Sequence, residues 1–214
     1  MNATAEPAAS QQRDWWLRAL SIFQSPRSVF AAMRDDSTEA AVARSEPIIA
    51  IAILAGMAGV LSTSLAGRLL DDRALDGLAV LVWAFLGGGM YALLVYWLGG
   101  ALLHGAGSLL GGRRTYRTAR HVLGFAAAPL VLLVLFVWPV RLAVYGSDLF
   151  RSGGNDSGAG DLVFELLALG LAAWAVALLV IGTRAVHSWP LPRAIAAVAL
   201  AAAPVALVVA VSAL

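Results

Sequence analysis

The chain has 214 residues, 60% of them hydrophobic and only 13% charged, with a net charge of +2 and a mean hydropathy of +0.81. Soluble domains are about 45–50% apolar and about 25% charged, so the composition excludes an ordinary soluble domain and points to a membrane protein. All fifteen basic residues are arginine and cysteine is absent, which excludes disulfides, thiolate zinc sites and cysteine nucleophiles.

Residues 1–46 are mixed polar and charged. They lack the basic stretch and short apolar core of a cleavable signal, so the first long apolar run is read as a retained span. Residues 1–12 read as flexible. In "DWWLRALSIFQSPRSVFAAMRDD", Trp16, Leu20 and Phe23 are spaced for one helix face. Ser25 then Pro26 reads as an N-cap and first helical position, and Val29, Phe30 and Met33 make the next apolar face. Such a segment suits an amphipathic helix on the membrane surface or one packed on the bundle; the pattern fits both. Residues 1–46 are expected to be a cytoplasmic N-terminal segment.

Five apolar stretches then reach the roughly 20 residues that a spanning helix needs. They are residues 47–67 ("PIIAIAILAGMAGVLSTSLAG"), 78–103, 121–140 ("HVLGFAAAPLVLLVLFVWPV"), 162–183 and 194–214 ("AIAAVALAAAPVALVVAVSAL"). They are too continuously apolar for barrel strands, which alternate. The fold class expected is an all-α integral membrane protein, a bundle of five transmembrane helices over 47–214 behind a short amphipathic N-terminal segment. Pro129 and Pro204 are expected to kink or unwind the third and fifth spans. The loop "GSDLFRSGGNDSGAG" reads as flexible.

The loops set the orientation. Eleven arginines fall in the N-terminal segment and the second-to-third and fourth-to-fifth loops, against four in the other two loops. The positive-inside rule then places the N-terminus in the cytoplasm and the C-terminus outside, in a cell inner (plasma) membrane. Trp97, Tyr116 and Trp189 fall near the inner boundary, and Trp138 and Tyr145 near the outer one, as interfacial aromatics do.

Within "GGRRTYRTARHVLGFAAAP", Arg113, Arg114, Arg117 and Arg120 have no balancing acid. They are a strong topogenic signal. On a helix Arg113, Arg117 and Arg120 share one side, and with His121 they form the candidate patch for anionic lipid or a protein partner. Four arginines between two spans make no nucleic-acid groove. Glu165 is the one acid placed inside a span and is the candidate intramembrane polar site, though it stands one turn past Asp161 and within reach of the headgroups. Gly56, Gly59, Gly87, Gly88 and Gly89 are candidate helix-packing positions, the first two in small-xxx-small pairs with Ala52 and Ala55. His104 and Ser108, four apart, are half of a nucleophile dyad with no acid to orient it. His104, His121 and His187 map to one boundary without a metal-ligand spacing. No catalytic residue, metal or cofactor is expected.

Three regions carry a family resemblance: "SPRSVFAAM", "GGRRTYRTARHVLGFAAAP" and "LGLAAWAVALLVIGTRAVHSWPLPRAIAAV". In their order and spacing the chain resembles the Yip family of Ypt/Rab-interacting five-span membrane proteins, in its prokaryotic branch. The resemblance implies an N-in, C-out topology and supplies no catalytic residue. Eukaryotic members are implicated in vesicle traffic and bind prenylated small GTPases; that partner biology is not carried to this chain. The expectation is a non-enzymatic membrane protein acting through helix packing, lipid contact or partner binding, in membrane organisation, as a homo- or hetero-oligomer with other membrane proteins. A small-solute permease or channel subunit is the alternative.

Overall fold

The structure, a computed structural model, describes residues 5–63, 71, 77–146, 149 and 159–212. Among them all regular structure is helical: α1 (Ala5–Ser21), α2 (Pro26–Ala32), α3 (Thr38–Leu61), α4 (Gly77–Leu94), α5 (Gly100–Leu109), α6 (Tyr116–Ala126), α7 (Ala128–Leu132), α8 (Trp138–Tyr145), α9 (Ala159–His187) and α10 (Leu191–Ser212). Wide π-turns at Val95–Gly99 and Leu133–Val137 join α4 to α5 and α7 to α8. Five stretches are long and apolar enough to span: Thr38–Leu61, Leu81–Leu109, Tyr116–Tyr145, Gly160–His187 and Leu191–Val208. Most of the expected loop over 146–160, like 64–70, lies outside the described residues.

The spans are where the apolar runs place them, but their ends are not. The first helix begins at Thr38 and carries Pro47 inside it, so the boundary expected at residue 46 falls within α3. Residues 5–12, read from the sequence as flexible, are helical and belong to α1. Ser25 and Pro26 do start α2, with Val29 N–H donating to the Ser25 carbonyl at 3.3 Å. Pro129 breaks the third span: it has no N–H to give to a helical carbonyl, α6 ends at Ala126, and Leu130 N–H turns to the Ala127 carbonyl at 2.9 Å. Pro204 instead lies inside an uninterrupted α10.

The chain divides into two compact units. One comprises Met1–Ile49, Val95–Ala126 and Val176–Leu214. In it Phe30 and Met33 are fully buried; a Cβ added at Gly182 would lie 2.9 Å from the Phe30 ring, so α2 sits directly on α9. The second unit comprises Ala50–Leu94 and Ala127–Ala175. In it α3 and α4 cross closely. A Cβ added at Gly88 would lie 2.6 Å from the Met57 Cα, and one at Gly56 would overlap the Gly88 carbonyl oxygen. Only glycine lets the two backbones approach so closely. Gly59 receives the edge of the Tyr91 ring. Gly87 would make ordinary contact with Val60 at 3.7 Å, and Gly89 has nothing within 4 Å. Only some of the five candidate glycines therefore stand at the crossing.

Candidate functional site

The chemistry gathers in the unit that holds the N-terminal helices. Ser37 starts α3 with its hydroxyl accepting the Ala40 N–H at 3.3 Å, and its own N–H donates to Asp35 Oδ1 at 3.0 Å. That bond holds the Asp35 carboxyl below its usual range. Two turns into α3, Arg44 has no exposed surface. Its guanidinium is used on every side. Nε donates to His121 Nδ1 at 2.7 Å, Nη1 to the Asp35 carbonyl at 2.7 Å, and Nη2 to Asp36 Oδ1 at 3.2 Å. The other Asp36 oxygen accepts the Thr115 hydroxyl, and Thr115 Oγ1 in turn accepts the Thr118 N–H at the start of α6. The Trp15 ring lies 5.7 Å from Arg44 Cζ and meets Phe125 edge-on with centroids 5.8 Å apart. A buried charge is tolerated only when it is paired and hydrogen-bonded, and Arg44 meets both conditions.

His121 is therefore not part of an arginine surface. It is 3% exposed and serves as the acceptor for Arg44. Arg113 is also separated from its expected partners, because the helix begins at Tyr116 and the assumed spacing of four residues spans a loop. Arg113 is exposed, while Arg117 and Arg120 are half-buried on α6.

Arg114 has a structural duty. Its Nε donates to the Val186 carbonyl at 3.0 Å, and Arg34 donates to the Ala185 carbonyl at 2.9 and 2.6 Å. Ser188, at φ 57°, lets Trp189 N–H return to the Arg184 carbonyl at 3.2 Å. The last carbonyls of α9 are thus satisfied by one backbone N–H and two guanidinium groups, which also suit the negative end of the helix dipole. The end of α5 is built alike. Gly111, at φ 79°, allows Gly112 N–H to reach the Gly107 carbonyl at 2.8 Å, and Arg193 donates to the Leu110 carbonyl. Arg193 also lies over the Trp189 ring, 4.5 Å from its centroid, and Trp189 stacks on His187.

Arg120 is different. Its Cζ lies 4.1 Å from the Trp97 centroid and 5.4 Å from those of Tyr96 and Tyr116. The π-turn after α4 supplies Tyr96 and Trp97, and Tyr116 is fixed by donating its hydroxyl to the Trp97 carbonyl at 2.7 Å. Gly100 lets α5 approach the Arg120 backbone. Arg120 Nε is buried without a hydrogen-bond partner, and among the described residues Arg120 makes no ion pair. The result is a half-buried guanidinium close to three aromatic rings, without a counter-charge among the described residues.

His104 and Ser108 come together with His187 and Thr183 around a cavity of about 10 Å³, room for about one water molecule. Thr183 Oγ1 is buried there without a partner. The three histidines do not converge, since His121 is turned to Arg44. In the second unit Glu165 is exposed on α9, while Arg141 pairs with Asp161 and lies 5.3 Å from the Trp138 centroid.

Sequence reasoning missed Arg44, Asp36, Thr115, Arg34 and Trp15. The available signal was an arginine three residues before the first apolar run, preceded by the pair Asp35–Asp36. It is visible only if the helix is started at Ser37 rather than at Pro47.

Comparison with known proteins gives one family. The model of the Yip1 domain matches residues 20–214. No curated protein and no solved structure matches the chain. The matched range takes in α2, Arg44, the arginine-rich turn and every candidate span, so the chain belongs to the Yip1-domain family and is a multi-pass integral membrane protein.

Proposed function

We propose that this Yip-type protein is non-enzymatic and acts through lipid contact, with Arg120 and Arg117 taking the phosphate of an anionic lipid headgroup. The observation that carries the reading is the Arg120 guanidinium, set close to Trp97, Tyr96 and Tyr116 without a carboxylate partner among the described residues. A phosphate would supply the missing counter-charge, and guanidinium geometry suits it. Arg120 is also the last charge of α6 before a charge-free stretch that runs to Arg141, which is where a headgroup would lie. The eleven-to-four arginine asymmetry supports an N-terminus in the cytoplasm, a C-terminus outside and an inner (plasma) membrane location. Glu165, exposed on α9, gives a solute pathway no support.

The test is the double variant Arg117→Gln with Arg120→Gln. Nine of the eleven inner arginines remain, so reporter fusions at both termini should give the parental orientation. Lipid extracted with the purified protein should lose its anionic fraction. Unchanged anionic lipid in correctly oriented protein would leave the arginines a topogenic role only.

A further inference from the structure

We infer that α1 is a three-sided interfacial helix whose Trp16, Leu17 and Leu20 insert into the bilayer leaflet that holds the Arg120 headgroup site. The inference rests on the Arg120 reading for its depth scale, while its test uses other residues. The first side of α1 faces protein: Trp15, Ala19 and Ile22 are 4%, 8% and 0% exposed. The second is apolar yet uncovered: Trp16, Leu17 and Leu20 are 38%, 59% and 69% exposed. The third is polar. Asp14 and Arg18 line a groove of about 250 Å³ with Asp35, Ser37 and Glu39, which marks the aqueous side of the helix.

Depth identifies what covers the second side. Trp15 packs on Phe125, and Phe125 lies in a spanning helix five residues beyond Arg120, the last charge of α6. At about 1.5 Å of rise per residue, that is about 7 Å below the last charge. Interfacial helices bury their apolar face about 5–10 Å into the headgroup and acyl boundary. Leu17 and Leu20 follow Trp15 by two and five residues, at most about 8 Å along the helix axis, which keeps this side of α1 close to the same boundary. Arg13 is exposed one turn before Leu17, where its stem can lie along the apolar side and its head can reach the phosphates. The occupant is the protein's own leaflet, and an isolated apolar side of this kind would otherwise stand in water.

The chain has no cysteine, so single nitroxides can be placed by Leu17→Cys, Leu20→Cys and Asp14→Cys in the full protein. The three positions are exposed, and labelling there displaces no packed side chain. In vesicles of mixed zwitterionic and anionic phospholipid, oxygen should reach the labels at 17 and 20 better than a water-soluble nickel chelate does. At 14 the order should reverse. Nickel accessibility at 17 and 20 equal to that at 14 would overturn the inference. So would labels at 17 and 20 that neither reagent reaches and that show dipolar broadening, since a second copy would then cover this side.

Discussion

Arg44 donates its Nε–H to His121 Nδ1 at 2.7 Å, and the two residues are 0% and 3% exposed. The bond requires His121 Nδ1 to be bare, because a proton there would set two donors against each other. His121 is therefore an internal acceptor that ties the third span to the first, and with Asp36 it makes the buried guanidinium tolerable.

Removing that guanidinium should be costly. Arg44→Gln cannot serve His121, the Asp35 carbonyl and Asp36 together, and it leaves a carboxylate without its cation. Leaving the buried His121 Nδ1 and the Asp35 carbonyl without their donor costs about 1–3 kcal/mol for each group left unsatisfied. The unfolding midpoint in mild detergent should fall steeply, whereas exposed Arg113→Gln should stay within about 0.5 kcal/mol of the parent. Equal midpoints for the two variants would contradict the Arg44 network.

The α3–α4 crossing gives a paired test. Gly88→Ala places a methyl group against the Met57 backbone, and overpacking of this kind costs about 1–3 kcal/mol. Gly89→Ala meets nothing within 4 Å and should be neutral or raise stability by up to about 1 kcal/mol, as alanine replaces a helical glycine. Unfolding in graded denaturing detergent separates them. A Gly88→Ala protein as stable as Gly89→Ala would mean the helices do not cross here.

These glycines show what the sequence reveals and what it conceals. The small-xxx-small pairs mark Gly56 and Gly59 without naming the surface opposite, and only the crossing distinguishes Gly88 from Gly89. The spans were legible because about 20 apolar residues in lipid leave a helix as the simplest solution. Arg44 was not legible, because a charged residue beside an apolar run looks solvated until its partners from residues 35, 36 and 121 are in place. Trp15 was hidden for a related reason. The spacing of Trp16, Leu20 and Phe23 picks out one apolar side of α1, while the side that meets Phe125 holds Trp15, Ala19 and Ile22.

The arginine caps on α9 predict a local effect. Arg34→Gln combined with Arg114→Gln strips the Ala185 and Val186 carbonyls of their donors. Hydrogen exchange over the last turn of α9 should quicken by about fivefold or more, since charge-assisted caps contribute about 1 kcal/mol or more. Exchange in the middle of α9 should not change. Parental protection in the last turn would show that other donors satisfy those carbonyls.

Acid should loosen the start of α3. The Asp35 carboxylate accepts the Ser37 N–H, which lowers its pKa. A lowered folded value means that the stabilisation is complete above the ordinary carboxylate range and is lost as pH falls through the lowered one. Protection factors for the Ala40 and Ala41 amides should fall on the acid side, and Asp35→Asn should remove that dependence. An identical acid profile in the variant would assign the effect to another group.

The headgroup reading rests on Arg120, and native mass spectrometry of Arg120→Gln beside Arg113→Gln tests it most directly. A basic residue near an anionic surface contributes about 1 kcal/mol, or about fivefold in binding. Arg120→Gln should therefore retain an added anionic phospholipid about fivefold less than the parent, with weaker dependence on salt, while Arg113→Gln retains it like the parent. Equal retention by all three proteins would contradict the reading.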